Sequence, residues 1–232
     1  MHEDTPLPSA DLDRPLQQVI QEFGERVHPG SSDGEIDEWD LRDESFRRLV
    51  KWAEDEGCFF EGLKPLVEGG REHDLIYDTD SGSWFKFTKP SAAGYIVSID
   101  SQVPELMPAL PLEYLSRLDL QNEIFADDVT FVGIAGLKHD CRIVTRQSDI
   151  PGVSASNEDI IRLMTQELGF ILLPPKFSVG YLESLAFLRD DVAVFDLRPA
   201  NVVITESGII VPIDSIPVRL DGASLKYLEG ET

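Results

Sequence analysis

Cysteine is almost missing from this sequence, with only Cys58 and Cys141 in 232 residues. They make no CxxC pair, and His139 is the one histidine near them, so at most two ligands of a zinc site are on offer. Buried or idle thiols are expected instead. Basic residues are scarce as well: 20 Lys and Arg stand against 43 Asp and Glu, a net charge of -23. Such a surface repels phosphate backbones, and no local basic patch interrupts it, so no nucleic-acid partner is expected. Long apolar runs are lacking, since none approaches the ~18 residues a membrane helix needs. The N-terminus MHEDTPLPSADLDRP has neither the basic nor the apolar region of a signal peptide. No membrane partner and a cytoplasmic location are the expectations. Internal repeats and long low-complexity segments are absent too.

What is present suffices for a folded core. At 42% hydrophobic, the chain predicts one compact domain, or a small two-lobed one with an appendage. Acid concentrates in SSDGEIDEWDLRDE and AEDEG, which offer either solvated helix faces or a surface for a basic partner. Leu16, Val19, Ile20, Phe23 and Val27 recur at helical spacing after Pro15, and HPGSSDG (28 to 34) breaks the pattern. Phe46, Leu49, Val50 and Ala53 repeat it, with Gly57 placed to stop the helix.

From Cys58 the texture turns to short runs: CFFEGL, DLIYDT, the turn DSGS, then WFKFTK, an antiparallel β pattern. A helix with Leu112, Leu115, Leu118, Asn122 and Phe125 on one stripe follows, and VTFVGIAG and CRIVTRQ read as another strand pair. Ser156 and Asp159 have capping-box spacing ahead of Ile160, Ile161, Leu163, Met164 and Leu168, and Gly169 ends that helix. VAVF, VVIT and IIVPID read as strands, the last two joined by the turn ESG.

The run FDLRPANVVIT (195 to 205) carries the chemistry. Phosphoryl transfer needs a carboxylate to position the attacking hydroxyl, carboxylate or amide oxygens for magnesium, and a lysine for the nucleotide phosphates. Asp196 stands where a base would, Arg198 can neutralise the transferring phosphate, and Asn201, five residues after Asp196, can offer its carbonyl oxygen to Mg²⁺. Asp214 lies thirteen residues beyond Asn201 across a hairpin, which brings two metal ligands to one end of a two-stranded unit.

DLRPAN (196 to 201) resembles the DLKPEN loop of protein kinases, PID (212 to 214) stands at the offset of the DFG aspartate, and Lys86 in WFKFTK looks like the third-strand lysine. A narrower resemblance is to the kinase domain of polyvalent proteins of phages and mobile elements. GGREHDLIYD, FKFTKP, YLSRLDLQNEIFADD, IVTRQSDIPG, LGF and DLRPANVVITESGIIVPID look like its characteristic stretches, over roughly residues 57 to 216. It implies an α+β, minimal protein-kinase-like two-lobed fold. A five-stranded antiparallel N-lobe sheet with one αC-like helix covers 57–147, a reduced C-lobe covers 148–232, and an acidic helical extension of two helices covers 1–56.

The resemblance also implies ATP and Mg²⁺ as cofactors. Lys86, Gly69, Gly70 and Gln147, the last at a hinge near Arg146 to Ser148, contact the nucleotide, and Asn201 with Asp214 holds metal. The partner of Lys86 is Glu123 or Asn122, with Glu123 preferred. GGREH departs from the three-glycine spacing of the phosphate-covering loop, Val194 and Phe195 replace the usual His and Arg, and Ser215 and Ile216 replace the DFG Phe and Gly. With 18 residues after Asp214, the activation segment and the helices that hold peptide substrates are expected to be missing.

Three readings of function follow. One is an ATP- and Mg²⁺-dependent phosphotransferase with a protein or small-molecule acceptor. The second is a non-catalytic nucleotide-binding pseudokinase whose acidic N-terminal segment binds a partner. The third is an interaction or toxin/antitoxin-like protein that uses the fold as a scaffold.

Overall fold

The computed structural model describes residues 7–26, 38–99, 103–137, 140–181 and 183–230. Val27, the HPGSSDG break, the first part of the acidic run and His139 lie outside the described residues. In chain order the elements are α1 (Leu16–Arg26), α2 (Glu38–Asp55), β1 (Phe59–Glu61), β2 (His73–Asp78), β3 (Ser83–Thr88), β4 (Tyr95–Ser98), β5 (Glu105–Pro108), α3 (Pro111–Phe125), β6 (Thr130–Gly136), β7 (Arg142–Ser148) and β8 (Gly152–Ser154). There follow α4 (Asn157–Arg162), β9 (Ile171–Leu172), β10 (Leu185–Arg189), β11 (Val192–Leu197), β12 (Val202–Thr205), β13 (Ile210–Pro212), β14 (Ile216–Arg219) and α5 (Gly222–Glu229). The fold is α+β. It divides into unit 1 (Met1–Gly94, Pro108–Asp119 and Asp128–Asp149) and unit 2 (Tyr95–Met107, Leu120–Asp127 and Ile150–Thr232).

In unit 1, α1 starts and α2 stops where the sequence dictates. Pro15 lends its carbonyl to the first helical bond of α1, from Val19 N–H at 3.3 Å, a position where its own missing N–H costs nothing. Gly57, at φ 70°, closes α2: its N–H reaches the Glu54 carbonyl at 3.3 Å and Cys58 N–H reaches Ala53 at 2.9 Å, the paired bonds of a Schellman end. Leu16, Val19 and Phe23 of α1 and Phe46, Leu49 and Ala53 of α2 are buried. Trp52 joins these faces to the sheet, its ring 6.2 Å from Phe23 and 5.9 Å from Phe131 of β6. Cys58 and Cys141 are buried free thiols.

The five-stranded sheet of unit 1 has the order β1-β6-β7-β3-β2. Its antiparallel expectation fails at one edge, where β1 runs parallel to β6 with Phe59 opposite Ile134. The cause is the 62–72 connection, which carries the chain from one sheet edge to the other instead of folding β1 back on β2 as a hairpin. Gly133 permits the pairing, because a Cβ there would lie 2.1 Å from the Cys58 carbonyl oxygen.

Unit 2 holds a four-stranded sheet, β14-β11-β10-β9, a three-stranded one, β13-β12-β8, and the β4-β5 pair. Strand β11 is its axis. Val192, Val194 and Leu197 enter one core with Ile160, Met164 and Phe187, while Ala193 and Phe195 enter a second with Phe177, Leu188 and Ile216. A strand covered on both faces reads as an unbroken apolar run, which is why VAVF shows no polar alternation. The expected capping box of α4 is present, with Ser156 accepting from Asp159 N–H at 3.1 Å and Asp159 accepting from Ser156 N–H at 3.2 Å. The helix does not run on in α form to Gly169, however. Leu163–Glu167 widens into a π turn, closed by Leu168 N–H on the Leu163 carbonyl at 3.0 Å.

Among the described residues no helix is long and apolar enough to cross a membrane. Because Trp52 contacts both another helix and the sheet, Trp52→Ala is expected to lower the stability of unit 1 by about 4 kcal/mol. Urea unfolding followed by far-ultraviolet circular dichroism checks this.

Candidate active site

Two strand pairings in unit 2 converge on the DLRPAN run. Strand β11 lies antiparallel to β14, and the ladder ends with Phe195 opposite Ile216, so Asp196 follows directly on one strand end and Ser215 directly precedes the other. Arg198 is extended, and Pro199–Asn201 then makes one 3₁₀ turn with Pro199 at its start, where a proline donor is not needed. Strand β12 pairs with β13, Val202 opposite Pro212. Beyond that pair the Asn201 carbonyl accepts from Ile213 N–H at 2.9 Å and Asp214 N–H at 3.4 Å. The hairpin thus ends with Asn201 and Asp214 side by side.

Asp196 has φ 56°, a left-handed conformation that few non-glycine residues adopt outside constrained sites. Asn201 holds it there: its Nδ2 donates to the Asp196 carbonyl at 2.8 Å and to Oδ2 at 3.1 Å. On the other oxygen, Ser184 Oγ donates to Oδ1 at 2.6 Å. Arg198 Nε lies 3.5 Å from Oδ1 without hydrogen-bond geometry, and the guanidinium sits 4.1 Å from the centre of the Tyr181 ring. Burial drives the Asp196 carboxyl above its ordinary pKa and the nearby Asp214 charge adds to this, against the opposing pull of Ser184, Arg198 and Asn201. The segment after Asp214 is anchored by buried Gln121, whose Oε1 accepts from Ser215 N–H and Oγ, each at 3.2 Å, while its Nε2 donates to Asp127 at 2.6 Å.

Asp196, Arg198, Asn201 and Asp214 are therefore brought together, all within unit 2. Glu123 is elsewhere in that unit: it is exposed, and both its oxygens lie within 2.9 Å of Arg219 Nη2. Lys86, Gln147, Gly69 and Gly70 belong to unit 1. Lys86 is half-buried on β3, between Leu75 of β2 and Thr145 of β7, on the face opposite Phe85 and Phe87. Gln147 is buried on β7 opposite Trp84. Gly69 is fixed by its own unit, since its N–H donates to Asp74 Oδ1 at 3.0 Å and a Cβ would meet the His73 carbonyl oxygen at 2.2 Å. Gly70 has open space where a Cβ would be.

Sequence reasoning missed Ser184 and Gln121. Nothing in FSVGYLES marks Ser184, and Gln121 stands one residue from the polar break noted at Asn122, a step of about 100° around a helix. Also missed was Arg117 of α3, buried in unit 1, which grips Glu72 at 2.7 and 3.2 Å beside His73 bonded to Tyr114 at 2.8 Å.

Comparison with protein-family models, curated proteins and solved structures gives no match.

One ion cluster in unit 1, bonded to Gly69 N–H, sets a pH dependence. Burial pushes Asp74 up, but hydrogen bonds from Lys89, Arg142 (2.6 Å) and Gly69 N–H outweigh it and hold the carboxyl down to about 2. A carboxyl depressed on folding stabilises above its unfolded pKa and loses that contribution as pH falls through the folded one. Asp74→Asn is expected to cost about 2 kcal/mol at neutral pH. The gap to the native protein should be constant down to about pH 4 and close as pH falls through about 2, read by urea unfolding at stepped pH.

Proposed function

We propose that this chain is an ATP- and Mg²⁺-dependent phosphotransferase of protein-kinase-like type, built on a reduced kinase-like fold of the kind found in polyvalent proteins. The observation that carries the reading is the convergence in unit 2 of two carboxylates, an amide and a guanidinium on one loop and one hairpin end. Lys86 enters on the resemblance of its strand.

The donor set fits a hard divalent cation. Asn201 Nδ2 is committed to Asp196, which turns Oδ1 away from that bond, and among the described residues no donor reaches Oδ1. Asp214 lies beside it with a carboxylate. Oxygen ligands of this kind suit Mg²⁺, and the like-charge pressure of Asp214 on Asp196 is what such a cation relieves. Asn201 Oδ1 and Asp214 would hold it, and it would supply charge neutralisation at the phosphate oxygens.

The chain's own groups do the rest. Asp196 accepts the proton of the acceptor hydroxyl as that oxygen bonds to the γ-phosphorus and the bond to the β,γ-bridging oxygen breaks. Although both its oxygens already accept a hydrogen bond, each retains a further lone pair. Its raised proton affinity makes it a better base than a surface carboxylate. Arg198, its guanidinium 4.1 Å from the centre of the Tyr181 ring, presents a positive charge where negative charge builds on the transferring group. The resemblance supplies the nucleotide; the acceptor is a protein or a small molecule.

A second reading, a nucleotide-binding module without transfer, is favoured by one observation. Glu123, expected on Lys86, is committed to Arg219.

Under saturating ATP and Mg²⁺ the native protein is expected to melt higher, by the equivalent of about 2.7 kcal/mol at nucleotide 100-fold above Kd. Asp214→Ala should lose the metal-dependent part. Absence of any metal-dependent shift in the native protein rejects both readings. Labelled γ-phosphate reaching the protein or a mixed acceptor pool, and vanishing in Asp196→Ala, selects transfer; binding without label selects the second reading.

A further inference from the structure

Ser184 lies outside the run that the sequence marks, twelve residues before Asp196. At 1% exposure a hydroxyl without a partner is costly, so its destination is informative. The backbone of Ser184 is already satisfied: its N–H donates to the Tyr181 carbonyl at 3.0 Å, and its carbonyl accepts from Ser178 Oγ at 2.6 Å. The hydroxyl is left for Asp196 Oδ1, at 2.6 Å. The same stretch approaches Asp196 a second time at Gly180, φ 87°, where a Cβ would lie 3.1 Å from Oδ1 and 3.4 Å from Cγ. The glycine is required there by both conformation and space.

We propose that Ser184 is the positioning residue of the Asp196 carboxylate, holding Oδ1 while Asn201 holds Oδ2, so that the carboxylate plane is set for the acceptor hydroxyl. The inference rests on the phosphotransferase reading for the reaction it serves. Two donors on two oxygens hold a carboxylate against rotation about Cβ–Cγ from both ends, whereas Asn201 alone, bonded to carbonyl and Oδ2 of one residue, holds it at one end through a single 3.1 Å bond. Ser178 Oγ and the Tyr181 carbonyl act behind Ser184 by pinning its backbone.

The test compares the native protein, Ser184→Ala and Ser184→Thr in the phosphotransfer assay, with ATP affinity measured by calorimetry. The expected result is a kcat about tenfold lower in S184A, with KM and Kd for ATP unchanged, and recovery to within about threefold in S184T, which keeps the hydroxyl. An S184A protein with native kcat overturns the proposal. So does a loss of kcat matched by an equal loss of ATP affinity and melting temperature, which marks a merely structural residue. Failure of the underlying reading is distinct, because it shows as absence of transfer in the native protein, and the proposal then falls with it.

Discussion

The arrangement of the candidate site depends on one side chain, the amide of Asn201. It bonds the Asp196 carbonyl and carboxylate through Nδ2, while its own backbone carbonyl gathers the N–H groups of Ile213 and Asp214. A left-handed aspartate costs on the order of 1 to 3 kcal/mol, and it persists where surrounding bonds over-determine it. Here the amide, Ser184 and the β11–β14 register do so together. One buried residue thereby fixes a backbone conformation and a carboxylate orientation through its amide and ties down the Asp214 end of the hairpin through its carbonyl.

That lock needs a rigid support, and β11 supplies it by entering two cores at once. Because Val192 and Val194 pack in one core and Ala193 and Phe195 in the other, the strand cannot slip by one position without moving Phe195 and Val194 into each other's core. Asp196 is the place where this double burial ends. The loop that follows is short and starts from Pro199, so little freedom remains between the rigid strand and the hairpin.

The scarcity of bases acts in the same direction. In unit 1, Arg14, Arg117, Arg142 and Arg146 are wholly or partly withdrawn from solvent and each faces a carboxylate: Glu22 and Glu56, Glu72, Asp74, and Asp13. Arg146, in the stretch expected to act as a hinge, also holds the Pro8 carbonyl at 2.6 Å and so straps the N-terminal segment onto β7. Each of those cations is withdrawn together with a carboxylate, so the few bases of unit 1 serve to neutralise buried acids.

Elements that depend on local pattern were legible in the sequence: α1 and α2 with the stop at Gly57, the β2–β3 and β12–β13 hairpins with their turn residues, and the capping box at Ser156. The proximity of Asn201 to Asp214 followed from hairpin arithmetic. Strands β4, β5, β8, β9, β10 and β14 and helix α5 were not read, being short or lacking alternation, and the pairing of these strands is settled by partners along the chain that no local signal marks. The same holds for β1, whose parallel place beside β6 no local signal encodes. Sequence by itself determined which residue types stand at which offsets, since turn chemistry and periodicity act over a few residues. Only the tertiary structure decided that Ser184 and Asn201 share the two oxygens of Asp196, that Glu123 belongs to Arg219, and that Gly69 answers to Asp74. Those choices rest on burial and on contacts between positions many residues apart, and a linear pattern carries neither.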